Sequence, residues 1–181
     1  MFYLFLADGF EECEALVPLD ILRRADIEVK TVGIGSNTVV GAHGISVNCD
    51  TIDKNLPTDN LDGIILPGGM PGTINLENNK TVQSFIDYCA DNNLLICAIC
   101  AAPSILGHKN LLNGKKATCF PGFEKDLLGA TVCNQSVVRD GNIITSFGAG
   151  AAFEFGFEIL SAIRGKDFAE NLKKQMKYKS E

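Results

Sequence analysis

What most constrains this chain is its alternation of short apolar runs with longer amphipathic stretches. Phe2 to Ala7 precedes Glu12 to Arg24; Val29 to Ile34, Gly63 to Leu66, Thr81 to Ala90 and Leu94 to Ala98 follow. Strand-length runs between segments of helical period predict βα units, hence an α/β fold with a mostly parallel sheet and helices on both faces. Ile64-Ile65-Leu66 and Leu94-Leu95-Ile96-Cys97 are apolar without period-two alternation, as expected of central strands covered on both sides. Thr38 to Cys49, around Gly41-Ala-His-Gly44, and Val137 to Thr145, around Arg139-Asp-Gly-Asn142, read as hairpins inserted in that frame. Ala151 to Ile163 carries Phe153, Phe157, Leu160 and Ile163 at helical spacing, Gly165 stops it, and a last helix runs from Lys166 to about Tyr178. No internal repeat or dividing linker interrupts the pattern, so residues 1–181 are expected to form one domain.

Composition narrows the function classes. A formal net charge of −6, with a short and interrupted Lys-rich tail, leaves no basic field for a phosphate backbone, and nucleic-acid binding is not expected. No apolar run approaches the roughly 20 residues that span a bilayer, and Met1 to Ala7 lacks a basic leader, so no membrane association is expected. Seven scattered cysteines suit reduced thiols in a cytoplasmic setting better than a disulfide framework. His43 and His108, with no paired cysteine spacing around them, predict no metal site.

Three glycine-rich turns are candidate ligand cradles. Gly33-Ile-Gly35 precedes a hairpin rather than a helix, and Gly148-Ala-Gly150 lies too near the C-terminus for a dinucleotide-binding unit, so no cofactor is expected. Pro67-Gly68-Gly69-Met70-Pro71-Gly72 instead leaves an apolar strand at the sheet's carboxyl edge, where open α/β sheets place ligands. Leu94 to Leu106 passes from a buried strand through Cys100 into a helix, with Ala98 and Ala102 as small neighbours, in the manner of a nucleophile elbow. A helix N-terminus favours thiolate, so a depressed pKa is expected at Cys100. Cys97 and Cys100 also spell C-x-x-C, but three extended steps of about 3.3 Å separate them by roughly 10 Å, too far for a disulfide. In the first βα turn, Glu11 and Glu12 suit a helix N-terminus and need no further role. Glu14, one turn in, falls on the face that packs on the sheet, where burial raises a carboxyl pKa and lets it donate to a thiolate.

These residues carry a resemblance. Asp8-Gly-Phe-Glu-Glu-Cys-Glu14, Pro18-Leu-Asp20-Ile-Leu-Arg-Arg24-Ala, Leu66-Pro-Gly-Gly69, Ala98-Ile-Cys-Ala-Ala-Pro103 and Thr145-Ser-Phe-Gly-Ala-Gly150, in that order over nearly the full length, resemble the DJ-1/ThiJ/PfpI superfamily, in its small single-domain subgroup. The resemblance implies a flavodoxin-like three-layer sandwich, a homodimer, and Cys100 as nucleophile or redox centre. It further implies that Glu14 hydrogen-bonds the sulfur and that the N–H groups of Gly69 and Ala101 form an oxyanion-binding pocket. The implied activity is cofactor-free glyoxalase or deglycase chemistry on methylglyoxal, glyoxal and their adducts. The alternative is a non-catalytic sensor or chaperone-like protein working through Cys100 oxidation.

One departure stands out. Phe120 occupies a place where some relatives carry histidine, which removes a general base there and leaves Glu14 as the acid/base candidate. His108 reads as a surface or C-cap residue, and His43, in a hairpin turn, is expected to reach the pocket only from a partner subunit. Leu16, Leu19, Val39 and Ile45, mixed with charges, are expected at that dimer interface.

Overall fold

The computed structural model describes residues 1–178. Its elements run β1 (Phe2–Leu6), α1 (Glu12–Arg24), β2 (Val29–Gly33), β3 (Thr38–Val40), β4 (Ser46–Asn48), β5 (Thr51–Ile52), β6 (Gly63–Leu66), α2 (Gly72–Asn78), α3 (Lys80–Asp91) and β7 (Leu95–Ile99). They continue with α4 (Pro103–His108), β8 (Lys116–Ala117), β9 (Thr131–Val132), β10 (Val137–Asp140), β11 (Ile143–Ser146), α5 (Ala152–Arg164) and α6 (Lys166–Gln175). The main sheet has the order β10-β11-β7-β6-β1-β2-β5. Its pairings are parallel except that of β10 with β11. Without its two edge strands this is the 2-1-3-4-5 order of flavodoxin-like sheets, which reverses direction between β1 and β6.

The central strands are apolar on both faces because two cores need them. Phe2, Leu4, Leu6, Ile65, Cys97 and Ile144 point to α1, α5 and α6, with Leu22, Phe155 and Leu172 among their partners. Tyr3, Phe5, Ile64, Leu66, Ile96 and Ala98 point to α2, α3 and α4, meeting Leu76, Phe85 and Ile105. The three-layer sandwich follows from this pleat.

The Thr38–Cys49 hairpin forms, with Val39 opposite Val47. The second hairpin is no insertion: β11 pairs in parallel with β7, so β10 and β11 complete the main sheet. Ile143 and Ile144 are apolar in succession because both faces of β11 are covered, a pattern that a surface hairpin does not require. The last helix ends at Gln175, short of the expected Tyr178. Among the described residues no helix is long and apolar enough to cross a membrane.

Helices α1 and α5 approach closely at Gly156, where an added Cβ would lie 2.7 Å from Ile21 Cδ1 and 3.0 Å from Pro18 Cα. The Gly156→Val variant is therefore expected to lose about 1–3 kcal/mol of stability through overpacking. Urea unfolding at constant m-value checks this.

Candidate active site

The carboxyl ends of β1, β6 and β7 meet at the point where the sheet order reverses, and three turns converge there. The turn after β7 holds Cys100 in the left-handed region, at φ +66°, which lifts its side chain off the strand axis. Two backbone bonds pin that turn: Cys100 N–H donates to the Ser146 carbonyl, and Phe120 N–H donates to the Cys100 carbonyl, both at 2.8 Å. The turn after β6 contributes Gly68 and Gly69. A Cβ on Gly68 would lie 2.7 Å from both Cys100 Cβ and Glu14 Oε2, and one on Gly69, at φ +88°, would lie 2.4 Å from the Gly9 carbonyl. Side chains are thus excluded where the turns touch.

The first turn of α1 brings Glu14, 1% exposed, beneath the thiol. Its Oε2 accepts from Gly68 N–H at 2.9 Å. The carboxyl also takes the N–H of Ala149 and shares a hydrogen bond with Cys100. Burial, against these bonds, pushes Glu14 up from 4.5 to about 7.

The depressed pKa expected at Cys100 is not found. Burial, then the charge and hydrogen bond of Glu14, push the thiol up to about 12, outweighing the N–H groups of Ala101 and Gly69 that pull it down. The helix expected to act on it, α4, has six residues and starts only at Pro103, so its dipole is small and lies beyond the thiol. Cys100 and Glu14 titrate as a pair: the first proton leaves near 7, and the remaining one is held between sulfur and carboxyl.

Cys100, Glu14, Gly69 and Ala101 thus line one pocket of about 320 Å³, with Glu11, Met70, Phe120 and Phe123 on its walls. Cys97 lies within β7, fully buried, while Cys100 is half-buried beyond the strand's end. All seven thiols are free.

Within its own chain His43 is not among the residues lining the thiol pocket and touches that wall only through Glu11. Its Nδ1 lies 2.8 Å from Glu12 Oε2 and 3.4 Å from Glu11 Oε2. Glu12 proves more than a helix-terminal charge: buried at 5% exposure, it accepts from His43 N–H at 2.8 Å and so clasps the hairpin to α1. Glu11, Glu12 and His43 hold three possible metal-ligand atoms within 4.8 Å of one another, a grouping that cysteine spacing could not reveal. His108 closes α4 and faces Glu77 at 2.6 Å, as a surface C-terminal residue.

Sequence reasoning missed Ala149, whose N–H reaches Glu14. The signal is present in Gly148-Ala-Gly150, small residues directly after a buried strand, a segment that carries the resemblance but whose role at the site the sequence does not specify.

The sequence profile of the DJ-1/PfpI family matches residues 2–162. The chain is 33% identical over 174 residues to Protein dj-1beta of Drosophila melanogaster, covering 94% of this chain and 93% of that protein. A DJ-1 superfamily protein from Salmonella typhimurium, solved as a cysteine-to-alanine mutant, superposes with a TM-score of 0.93 at 32% identity, covering 99% of this chain and 98% of the other. Toxoplasma gondii DJ-1, solved in an oxidized form, superposes with a TM-score of 0.94 at 28% identity over the same shares of the two chains. A profile match over most of its length, on a flavodoxin-like sheet with a cysteine on a strained turn, means that this chain belongs to the DJ-1/PfpI family.

Proposed function

We propose that the protein is a cofactor-independent, cysteine-dependent enzyme converting methylglyoxal or glyoxal to the 2-hydroxy acid, with deglycase-like action on dicarbonyl adducts as an extension of the same chemistry. The observation that carries this reading is the half-buried Cys100 thiol hydrogen-bonded to the buried Glu14 carboxyl, with the N–H groups of Gly69 and Ala101 directed at the sulfur. A raised thiol pKa means that the thiolate forms in the act of attack, with the ionised Glu14 as base. Cys100 Sγ bonds to the aldehyde carbon, Glu14 takes the thiol proton, and the carbonyl π pair moves to an oxygen held by Gly69 and Ala101 N–H. Glu14 passes that proton to the oxygen, giving a hemithioacetal. It then removes the proton on the aldehyde carbon and returns it to the ketone carbon through an enediol, leaving a lactoyl thioester. Water cleaves the C–S bond and restores the thiol. The sum is methylglyoxal plus water to lactate: one carbon is oxidised, its neighbour reduced, and no outside oxidant enters. Incubation of the purified protein with methylglyoxal is expected to yield lactate; absence of lactate overturns the reading.

A second reading is favoured by the same thiol and by the oxidized state recorded for the Toxoplasma relative. Two equivalents of peroxide would convert Cys100 to the sulfinate with release of water, changing a surface that a partner reads. Single-site oxidation of +32 Da at Cys100 without dicarbonyl turnover would select this sensor role. Either role suits a reducing, cytoplasmic setting, which the seven free thiols support.

We also propose a homodimer, with a revised surface. Val39 and Leu19 are buried in the chain's own core and offer nothing to a partner, and Leu16 is half-buried against that core. Ile45, 52% exposed, remains on the hairpin, and its neighbour Val40, which the sequence reading did not single out, is 41% exposed. Light scattering behind size exclusion is expected to give about twice the 19.5 kDa of one chain.

A further inference from the structure

A second cavity, of about 600 Å³, opens beside the thiol pocket. The two share Phe120 and Ala149 on their walls, so they adjoin as a smaller and a larger lobe. Gly148 lets the Phe120 ring pack close at their boundary: a Cβ there would stand 3.1 Å from the ring and 4.0 Å from Glu14 Oε1. A substituent on a carbon held at Cys100 would meet the larger lobe on the far side of the Phe120 ring, the side chain common to both walls.

The larger lobe is apolar where it faces outward. Phe120, Val132 and Phe147 are 47%, 45% and 38% exposed, which places two phenyl rings and a branched side chain in solvent around one concavity. Among the described residues neither ring is paired with another aromatic side chain, so their faces are free to stack on a guest. The charged side chain on this wall is Glu124, whose carboxylate accepts from Gly122 N–H at 2.7 Å and disfavours an anionic guest. A cavity of this size, mostly apolar with few polar groups, suits a ring-sized organic substituent, and the methyl of methylglyoxal leaves it empty.

We infer that this lobe is a subsite for a neutral aromatic group and that the preferred substrates are aryl-substituted α-oxoaldehydes, an inference that rests on the oxoaldehyde reading above. The step is the one already described: aryl glyoxal plus water gives the aryl hydroxyacetate, with the aldehyde carbon oxidised and the ketone carbon reduced.

Phenylglyoxal and methylglyoxal, followed as mandelate and lactate, test the inference. Wild-type kcat/KM is expected to favour phenylglyoxal by about tenfold or more, the scale of burying one ring. Val132→Asp and Phe147→Ser, which leave the thiol pocket intact, are expected to erase most of that preference while methylglyoxal kcat/KM stays within about twofold. Equal kcat/KM for the two substrates in the wild type, or a preference that survives both variants, overturns the subsite. Acetophenone, which has no aldehyde to react, separates the two readings by ligand-observed NMR on the Cys100→Ser protein. Saturable binding that Val132→Asp removes supports the subsite even if neither oxoaldehyde is turned over, in which case the reaction alone fails. No acetophenone binding alongside intact methylglyoxal turnover overturns the subsite alone.

Discussion

Lactate formation from methylglyoxal should fall by roughly 10⁴-fold or more when Cys100 is replaced by serine. The substitution keeps the turn, since Ser has similar bulk and the pinning bonds to Ser146 and Phe120 are made by backbone. What it removes is the nucleophile. A hydroxyl is far harder to ionise than a thiol, and one carboxyl with a pKa near 7 cannot compensate. The remaining N–H groups of Gly69 and Ala101 have no covalent adduct to stabilise. Rates at high enzyme concentration, with circular dichroism showing an unchanged fold, measure the effect; equal lactate from wild type and variant removes Cys100 from the mechanism.

The second large effect concerns Glu14. The Glu14→Gln variant keeps the shape but can neither take the thiol proton nor move it between carbons, so turnover should drop by about 10²–10⁴-fold. Wild-type turnover should rise with pH through about 7, as the pair loses its first proton, whereas the residual rate of the variant should lack that step. Stability should move the other way. Folding holds this carboxyl at about 7 instead of 4.5, so the neutral form favours the fold. That contribution is complete below 4.5 and is lost as pH rises through 7, about 3 kcal/mol in all. Urea unfolding at pH 5 and pH 8 should show the loss in the wild type and not in the variant.

The helices and central strands were legible because burial on both faces imposes long apolar runs, and Glu12 to Arg24 and Gly63 to Leu66 match the structure residue for residue. The two-residue strands β5, β8 and β9 left no pattern, since pairing of that length is decided by neighbours elsewhere in the chain. Cys100 and Glu14 could be brought to one sheet edge from topology alone. Their charge states could not, because the thiol's pKa depends on how deeply three separate turns bury it, and helix position was the wrong guide. Glu12 was misjudged for the same reason: its partners His43 and Ile45 lie more than thirty residues away.

The thiol pocket draws its walls from Glu11, Gly69, Cys100, Phe120 and Ala149, nearly the whole length of the chain. The site therefore cannot exist on a growing polypeptide until the segment that carries Ala149 has been made. At ordinary translation rates the roughly fifty residues between Cys100 and Ala149 take about 3–10 s to synthesise. Until then Cys100 lacks the burial and the Glu14 charge that hold its thiol high in the folded protein, and ionises nearer the ordinary 8.5. The low reactivity of the resting thiol is thus a property of the closed chain, acquired only when segments from Glu11 to Ala149 have come together.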